Sequence, residues 1–254
     1  MKKLITAAVL VTVALSMVLV ACSQAEEAGG VPRIVIGTDA TWPPMEFIDQ
    51  STREIIGFDI DLMKAAAEAG GFEVEFRNTG WDGIFAGLAT REYDAVMSSV
   101  TITEERMETM DFSIPYINAG QILVVPVATE GVTTLADLSG KQVGVQIGTT
   151  GQFAVQEYPN INVATYDEIG LAFEDLAVGR LDAVVADTPV AANYALQNET
   201  YSQSLKIVGE PFTEEFYGVA VRKGNTEVLE LINRGLEAVL AAGVDEELAE
   251  KWLR

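Results

Sequence analysis

The segment Phe85-Ala-Gly-Leu-Ala-Thr-Arg-Glu-Tyr-Asp94-Ala-Val96 returns 88 residues later as Phe173-Glu-Asp-Leu-Ala-Val-Gly-Arg-Leu-Asp182-Ala-Val184, with Phe, Leu, Ala, Asp, Ala and Val in register. A helix running into a strand, present once in each half, points to two similar lobes rather than an array of short repeats. Amphipathic segments produce single echoes of this kind by chance, so the rest of the chain has to agree. It does: Ile34 to Ile36, Val74 to Phe76, Ala95 to Met97, Val143 to Val145, Ala183 to Ala186 and Val219 to Val221 read as short apolar strands, and helical stretches alternate with them as in a sheet of βα units. Asp61 to Ala69 reads as a helix closed by Gly70-Gly71, Asp167 to Val178 as another closed by Gly179, and Thr226 to Arg254 as helical with a break at Gly243. The expected fold is α/β, with one βα sheet in each lobe.

The residues just past each copy of the echo locate a site. Ser98-Ser99 lies beyond the first strand and Ala186-Asp187 beyond the second, at the same shift. Ligands of open α/β sheets bind at the carboxyl ends of strands, so these residues are predicted to face one another across a cleft between the lobes.

Composition narrows what could enter that cleft. Sixteen Lys and Arg stand against 38 Asp and Glu, a net charge of -22, which excludes attraction to nucleic acid and suits either plain solubility or a cationic small molecule. The sequence has no histidine, so the commonest general base and metal ligand is missing, and neither a cofactor nor a metal is expected. Cys22 is the sole cysteine and has no intramolecular disulfide partner.

The N-terminus reads as a targeting segment. Lys2 and Lys3 precede an apolar run from Leu4 to Val20, the layout of a secretory signal peptide, although 17 residues also come close to the length of a membrane-spanning helix. Leu19-Val20-Ala21-Cys22 resembles the lipobox of bacterial lipoproteins, whose cysteine receives a diacylglyceryl group before cleavage on its N-terminal side. The resemblance implies a signal peptide over 1–21, a lipid on Cys22, a flexible tether over 22–32 that includes Ser-Gln-Ala-Glu-Glu-Ala-Gly-Gly, and a protein held extracytoplasmically at a membrane.

A selective site for a free amino acid must pair a carboxylate and an ammonium while desolvating both. Ser98-Ser99-Val100-Thr101-Ile102-Thr103-Glu104-Glu105-Arg106 supplies hydroxyls at a strand end, a candidate helix N-cap in Thr103, and a guanidinium suited to bidentate carboxylate binding. From this segment alone, a capped surface helix with a solvated Arg106 is an equal reading. Gly37-Thr-Asp-Ala-Thr-Trp-Pro-Pro-Met-Glu-Phe47, Gly57-Phe-Asp-Ile-Asp-Leu62, Trp81-Asp-Gly83, Tyr93-Asp-Ala95, Thr101-Ile-Thr-Glu-Glu-Arg106, Asp111-Phe-Ser113 and Pro115-Tyr116 together resemble the successive signatures of the family 3 extracellular solute-binding proteins, the amino-acid receptors of ABC importers.

That resemblance implies a two-lobe periplasmic-binding-protein-like fold joined by two hinge strands. Lobe 1 would comprise 33–117 and 220–254, lobe 2 122–215, and the hinges about 118–121 and 216–219. It also implies roles. Arg106 would grip the ligand α-carboxylate, helped by Thr101, Thr149 and Thr150; Asp187 would take the α-ammonium, with Ser99 assisting, and Ser98 would be a further ligand-binding residue. Trp42 and Trp81, which spacing alone assigns to core, would clamp the ligand side chain, and Asp39 would face it as an unpaired carboxylate. Gln146 would reach the ligand from a strand end, whereas Glu46 is expected to be structural. Val143-Gly-Val-Gln-Ile-Gly-Thr-Thr-Gly151 is most similar to the basic amino-acid branch, so arginine or lysine is the expected ligand and glutamine the alternative. Implied partners are the free amino acid, a membrane permease and the membrane itself; a monomer is expected. Two other functions compete: a periplasmic cyclohexadienyl-dehydratase-like enzyme on the same fold, and the sensor lobe of a receptor, which would need a separate signalling partner.

Overall fold

The computed structural model describes residues 31–254. The expected signal peptide, Cys22 and nearly all of the tether lie outside the described residues.

Strands and helices form where the alternation predicts, and they sort into two five-stranded sheets of one design. Edge to edge, the first sheet runs Glu73–Asn78, Arg33–Thr38, Ala95–Val96, Ala220–Arg222, Met110–Phe112. The second runs Asn162–Tyr166, Gln142–Gln146, Ala183–Asp187, Gln121–Pro126, Leu205–Val208. In each, the first three strands are parallel and the last two pair antiparallel to their inner neighbour. Parallel neighbours need a crossover, and helices supply it. Helix Trp81–Thr90 leads into Ala95–Val96 and helix Ile169–Ala177 into Ala183–Asp187, so both the helix starts and the strand starts keep the 88-residue spacing of the echo.

Differences from the sequence reading are local. Helix Phe58–Gly70 starts three residues before the expected Asp61 and ends where the glycine pair stops it, with Gly71 at φ 74° and its N–H on Ala67 O. The strand expected over Val219 to Val221 is Ala220–Arg222. A small antiparallel sheet of Thr41–Trp42, Glu46–Ile48 and Ile55–Ile56, absent from the sequence reading, fills the loop after the first strand. Helices Phe58–Gly70 and Thr226–Ala241 cover one face of the first sheet, and the core they close includes Ile34, Ile36, Leu62, Met63, Ile232 and Leu236. Helix Trp81–Thr90 covers the other face through Ile84 and Leu88, with Tyr93 and Val96 beneath.

The chain passes between the sheets twice, after Phe112 and after Val208. At these passages Ile117–Asn118 pairs antiparallel with Phe216–Tyr217, with Asn118 opposite Phe216 and Ile117 opposite Tyr217. Among the described residues no helix is long and apolar enough to cross a membrane.

Candidate ligand-binding site

The carboxyl ends of four central strands converge on one cavity. Asp39 follows Arg33–Thr38, Ser98, Ser99 and Thr101 follow Ala95–Val96, Gln146 ends its strand, and Asp187 ends Ala183–Asp187. Helix starts complete the wall: Trp81 opens one helix, Thr149 caps and Thr150 opens another, and Arg106 lies one turn into the helix that Thr103 caps. All eleven residues expected at a ligand site line this cavity, and Glu46 lines it with them. The empty space among them is about 320 Å³, counting the part open to solvent.

Asp39 departs from the expectation of an unpaired carboxylate. Its Oδ1 accepts from Thr41 Oγ1 at 2.8 Å and its Oδ2 from Gln146 Nε2 at 3.1 Å. Burial raises its pKa and these two bonds oppose the rise. Local turn chemistry and contact across the cleft therefore coexist in one side chain, because Gln146 comes from the second sheet.

Behind Asp39 sits a second acidic group. The Asp39 N–H donates to Ser98 Oγ at 2.9 Å, Ser98 Oγ donates to Glu46 at 3.0 Å, and Ser99 Oγ donates to Glu46 at 3.3 Å. The Ser99 N–H and the Tyr116 hydroxyl both donate to Asp59 Oδ2, at 2.9 and 2.8 Å. Glu46 and Asp59 are fully buried. Burial, and then the neighbouring Asp59 charge, push Glu46 well above the carboxylate range, while burial pushes Asp59 up to about 6. The pair holds Ser99 at φ 51°, a conformation rare for a non-glycine residue and one that needs surrounding support. Ser98 Oγ is thus taken up by protein groups, as is Thr149 Oγ1, which donates to Gln146 O and accepts from the Gln152 N–H.

Arg106 faces the opposite charge type. One guanidinium nitrogen donates to Thr101 O at 2.8 Å and another to Gly148 O of the second lobe at 3.5 Å. Its carbon lies 5.5 Å from the Trp81 ring centroid and 5.2 Å from that of Phe85. Burial lowers its pKa against the attraction of Asp187 and Glu215. Trp42 is buried in the same wall, and its indole N–H finds no acceptor among the described residues.

Asp187 accepts from Gln121 Nε2 at 2.8 Å and from the Tyr217 hydroxyl. Burial and then the negative Glu215 raise it to about 7, against these donors and Arg106. Glu215, buried beside the ribbon of Phe216–Tyr217, accepts from Thr101 Oγ1 at 2.8 Å and Thr150 Oγ1 at 2.7 Å. Gln121 and Tyr217, expected only as hinge residues, and Glu215 were not expected at the site. The one signal for Glu215 was an acid directly before the apolar Phe216-Tyr217-Gly-Val219 run. Among the described residues no cluster of three or more His, Cys, Asp or Glu side chains has a metal-holding arrangement.

Two α/β lobes around a cleft that offers a guanidinium at one point and carboxylates at others define a small-molecule binding protein of the two-lobe periplasmic class. Within that class, the chain belongs to the bacterial extracellular solute-binding proteins, family 3, whose model it matches over residues 34–254. It is 34% identical over 254 residues to the ABC transporter arginine-binding protein 1 of Escherichia coli strain K12, covering 99% of each chain. It is 37% identical over 236 residues to the probable histidine-binding protein of Neisseria gonorrhoeae, covering 91% of this chain and 86% of that one. An ancestral arginine-binding protein solved with arginine superimposes with a TM-score of 0.82 at 44% identity, covering 87% of this chain and 98% of the other. An ancestral amino acid-binding protein described as a precursor of cyclohexadienyl dehydratase gives 0.80 at 39%, covering 87% and 96%. The family is that of extracytoplasmic amino-acid-binding components of ABC importers.

Proposed function

We propose that this protein captures a basic amino acid, arginine or lysine, and delivers it to the permease of an ABC importer. The supporting observation is the make-up of the cavity wall: two carboxyl side chains, Asp39 and Asp187, stand against the single guanidinium of Arg106, with Glu46 behind them held well above the carboxylate range. In this reading Arg106 holds the α-carboxylate, with Thr101, Thr149 and Thr150 near it. Asp187 holds the α-ammonium beside Ser98 and Ser99. Once both zwitterion charges are matched, Asp39 and the indole faces of Trp42 and Trp81 favour a cationic side chain, each indole by roughly 0.5–2 kcal/mol. Gln146 leaves Asp39 to make room for that cation.

The lobes of this reading are 33–117 with 220–254, and 122–215, and they close about hinges at about 118–121 and 216–219, a reading supported by the ribbon pairing of Ile117–Asn118 with Phe216–Tyr217. Scattering should show compaction with saturating ligand, and an unchanged profile would argue against closure. The protein acts as a monomer tethered through lipid on Cys22, a reading supported by the lipobox-like run; Cys22→Ser should leave uncleaved or released protein without acyl label, and normal membrane retention with labelling intact would refute it.

A thermal-shift screen of the twenty amino acids on protein trimmed before Arg33 tests the ligand. A ligand at about 100 times its Kd adds roughly 2.7 kcal/mol of stability. Stabilisation by arginine or lysine supports the reading, and silence from both refutes it. Glutamine is the second reading, favoured by the Gln146 amide already seated on Asp39. The dehydratase reading predicts product from prephenate or arogenate, which the binding reading does not.

A further inference from the structure

Four donors converge on Glu215. Thr101 Oγ1 and Thr150 Oγ1 reach Oε2 at 2.8 and 2.7 Å, Gln121 Nε2 lies 3.4 Å from the same oxygen, and Thr213 Oγ1 reaches Oε1 at 2.8 Å. Two of the hydroxyls have a second commitment that fixes their direction. Thr150 Oγ1 accepts from Gln121 Nε2 at 3.2 Å and Thr213 Oγ1 accepts from the Gln121 N–H at 2.8 Å, so each directs its own proton to the carboxylate. An ionised carboxylate only accepts, and a hydroxyl carries one proton and two lone pairs. Thr101 and Thr150 come from opposite lobes and line the cavity. With their protons on Glu215, the two hydroxyls turn acceptor capacity toward a guest.

We propose that Glu215 is a positioning residue of the ammonium subsite: it takes the hydroxyl protons of Thr101 and Thr150, so that both side-chain oxygens accept from the ligand α-ammonium beside Asp187, and only the backbone N–H groups of these two residues are left to help Arg106 with the α-carboxylate. This rests on the amino-acid reading but not on which side chain the ligand carries. Glu215 also adds its charge to the subsite, where Gln121 Nε2 lies 2.8 Å from Asp187 and 3.4 Å from Glu215. The groups facing Asp187 are Glu215, Arg106 and the Tyr217 hydroxyl, and Tyr116 and Asp59 lie beyond Tyr217.

The Glu215 charge is one of the causes that raise Asp187 to about 7. An incoming ammonium needs Asp187 ionised, so binding releases a proton near neutral pH. Linkage through a group at that value weakens binding about tenfold between pH 8 and pH 6.

Glu215→Gln keeps the shape, removes the charge and makes one oxygen position a donor. Calorimetry with the amino acid that the parent protein binds best, in two buffers of different ionisation enthalpy, reads affinity and proton release together. The expected result is at least a tenfold loss of affinity at pH 7.5, together with a smaller proton release and a flatter dependence between pH 6 and pH 8. Lost affinity with unchanged proton release and pH profile, or unchanged affinity, would overturn the role while leaving the amino-acid function standing. A parent that binds no amino acid would overturn both. Should Glu215→Gln not fold, Glu215→Asp tests the same idea: the charge stays and the hydroxyls fall out of reach, so proton release persists while affinity falls at least fivefold. Unchanged affinity there would likewise refute it.

Discussion

Replacing Asp59 with asparagine should make the protein more stable at pH 8 than at pH 5, relative to the parent at each pH. Asp59 is fully buried, its Oδ1 has no hydrogen-bond partner among the described residues, and burial raises it from 3.8 to about 6. An acid whose folded pKa lies above its unfolded value opposes folding once it must ionise. That opposition is absent below about pH 4, grows as pH rises, and is complete above the folded value. About two pKa units correspond to about 3 kcal/mol at full ionisation. Between pH 5 and pH 8 the penalty grows by roughly 1 kcal/mol, from the same linkage relation. Asparagine keeps an oxygen for the Ser99 N–H and the Tyr116 hydroxyl, and turns an amide toward Glu46 where two acids now crowd. Urea unfolding of both proteins at the two pH values measures the difference with the many surface carboxylates cancelled. A stability difference that does not change with pH by at least about 0.5 kcal/mol would mean that Asp59 titrates as an ordinary solvated acid, and the reasoning about the Glu46 and Asp59 pair would fall.

Three more outcomes rest on named contacts. Asp39→Asn should weaken a basic ligand by roughly 1.5–3 kcal/mol, the scale of a hydrogen bond to a charged group, and glutamine far less; equal losses by calorimetry would make Asp39 structural. Arg106→Lys replaces a fork that spans Thr101 O and Gly148 O with a point charge, so every amino-acid ligand should weaken more than tenfold and to a similar degree; a loss confined to basic ligands would contradict carboxylate binding. Gly57 has φ 135°, and a Cβ there would lie 2.2 Å from Met45 O. Gly57→Ala should therefore cost roughly 2–4 kcal/mol in urea unfolding, and a loss under about 1 kcal/mol would show that the loop carrying Glu46 yields easily.

Five of the six parallel strands were legible because their signal is local: an apolar run, a helix of fixed period and a glycine stop recur in order, and the echo between Phe85 and Phe173 ties the two halves together; the sixth, Asn162–Tyr166, is a partly exposed edge strand with no continuous apolar run. The antiparallel strands Gln121–Pro126 and Leu205–Val208 were not: the first is a continuous buried run without alternation, and the second is a short, mostly half-buried edge strand interrupted by Lys206. The cavity wall was readable wherever a residue sits at a strand end or helix start. Gln121 opens an antiparallel strand and Glu215 precedes a two-residue one, and both act through hydrogen bonds to Asp187, Thr101 and Thr150, contacts that depend on how the chain returns between the lobes. For Asp39 the sequence located the carboxylate, while its partner Gln146 is 107 residues away and enters only through the fold.

Groups of the two lobes bond to one another across the cleft, among them Gln146 to Asp39, Arg106 to Gly148 O, and Thr150 to the carboxylate that also holds Thr101. The Gln146 bond is one that an arriving molecule must replace before it gains Asp39 from the wall. A rival resident built from the protein's own side chains thus sets the threshold for capture and speeds eviction, because the groups that lose the guest regain one another. Tight retention and quick unloading at a membrane partner pull in opposite directions, and self-contacts of this kind let a single cleft set the balance between them without altering the residues that recognise the cargo.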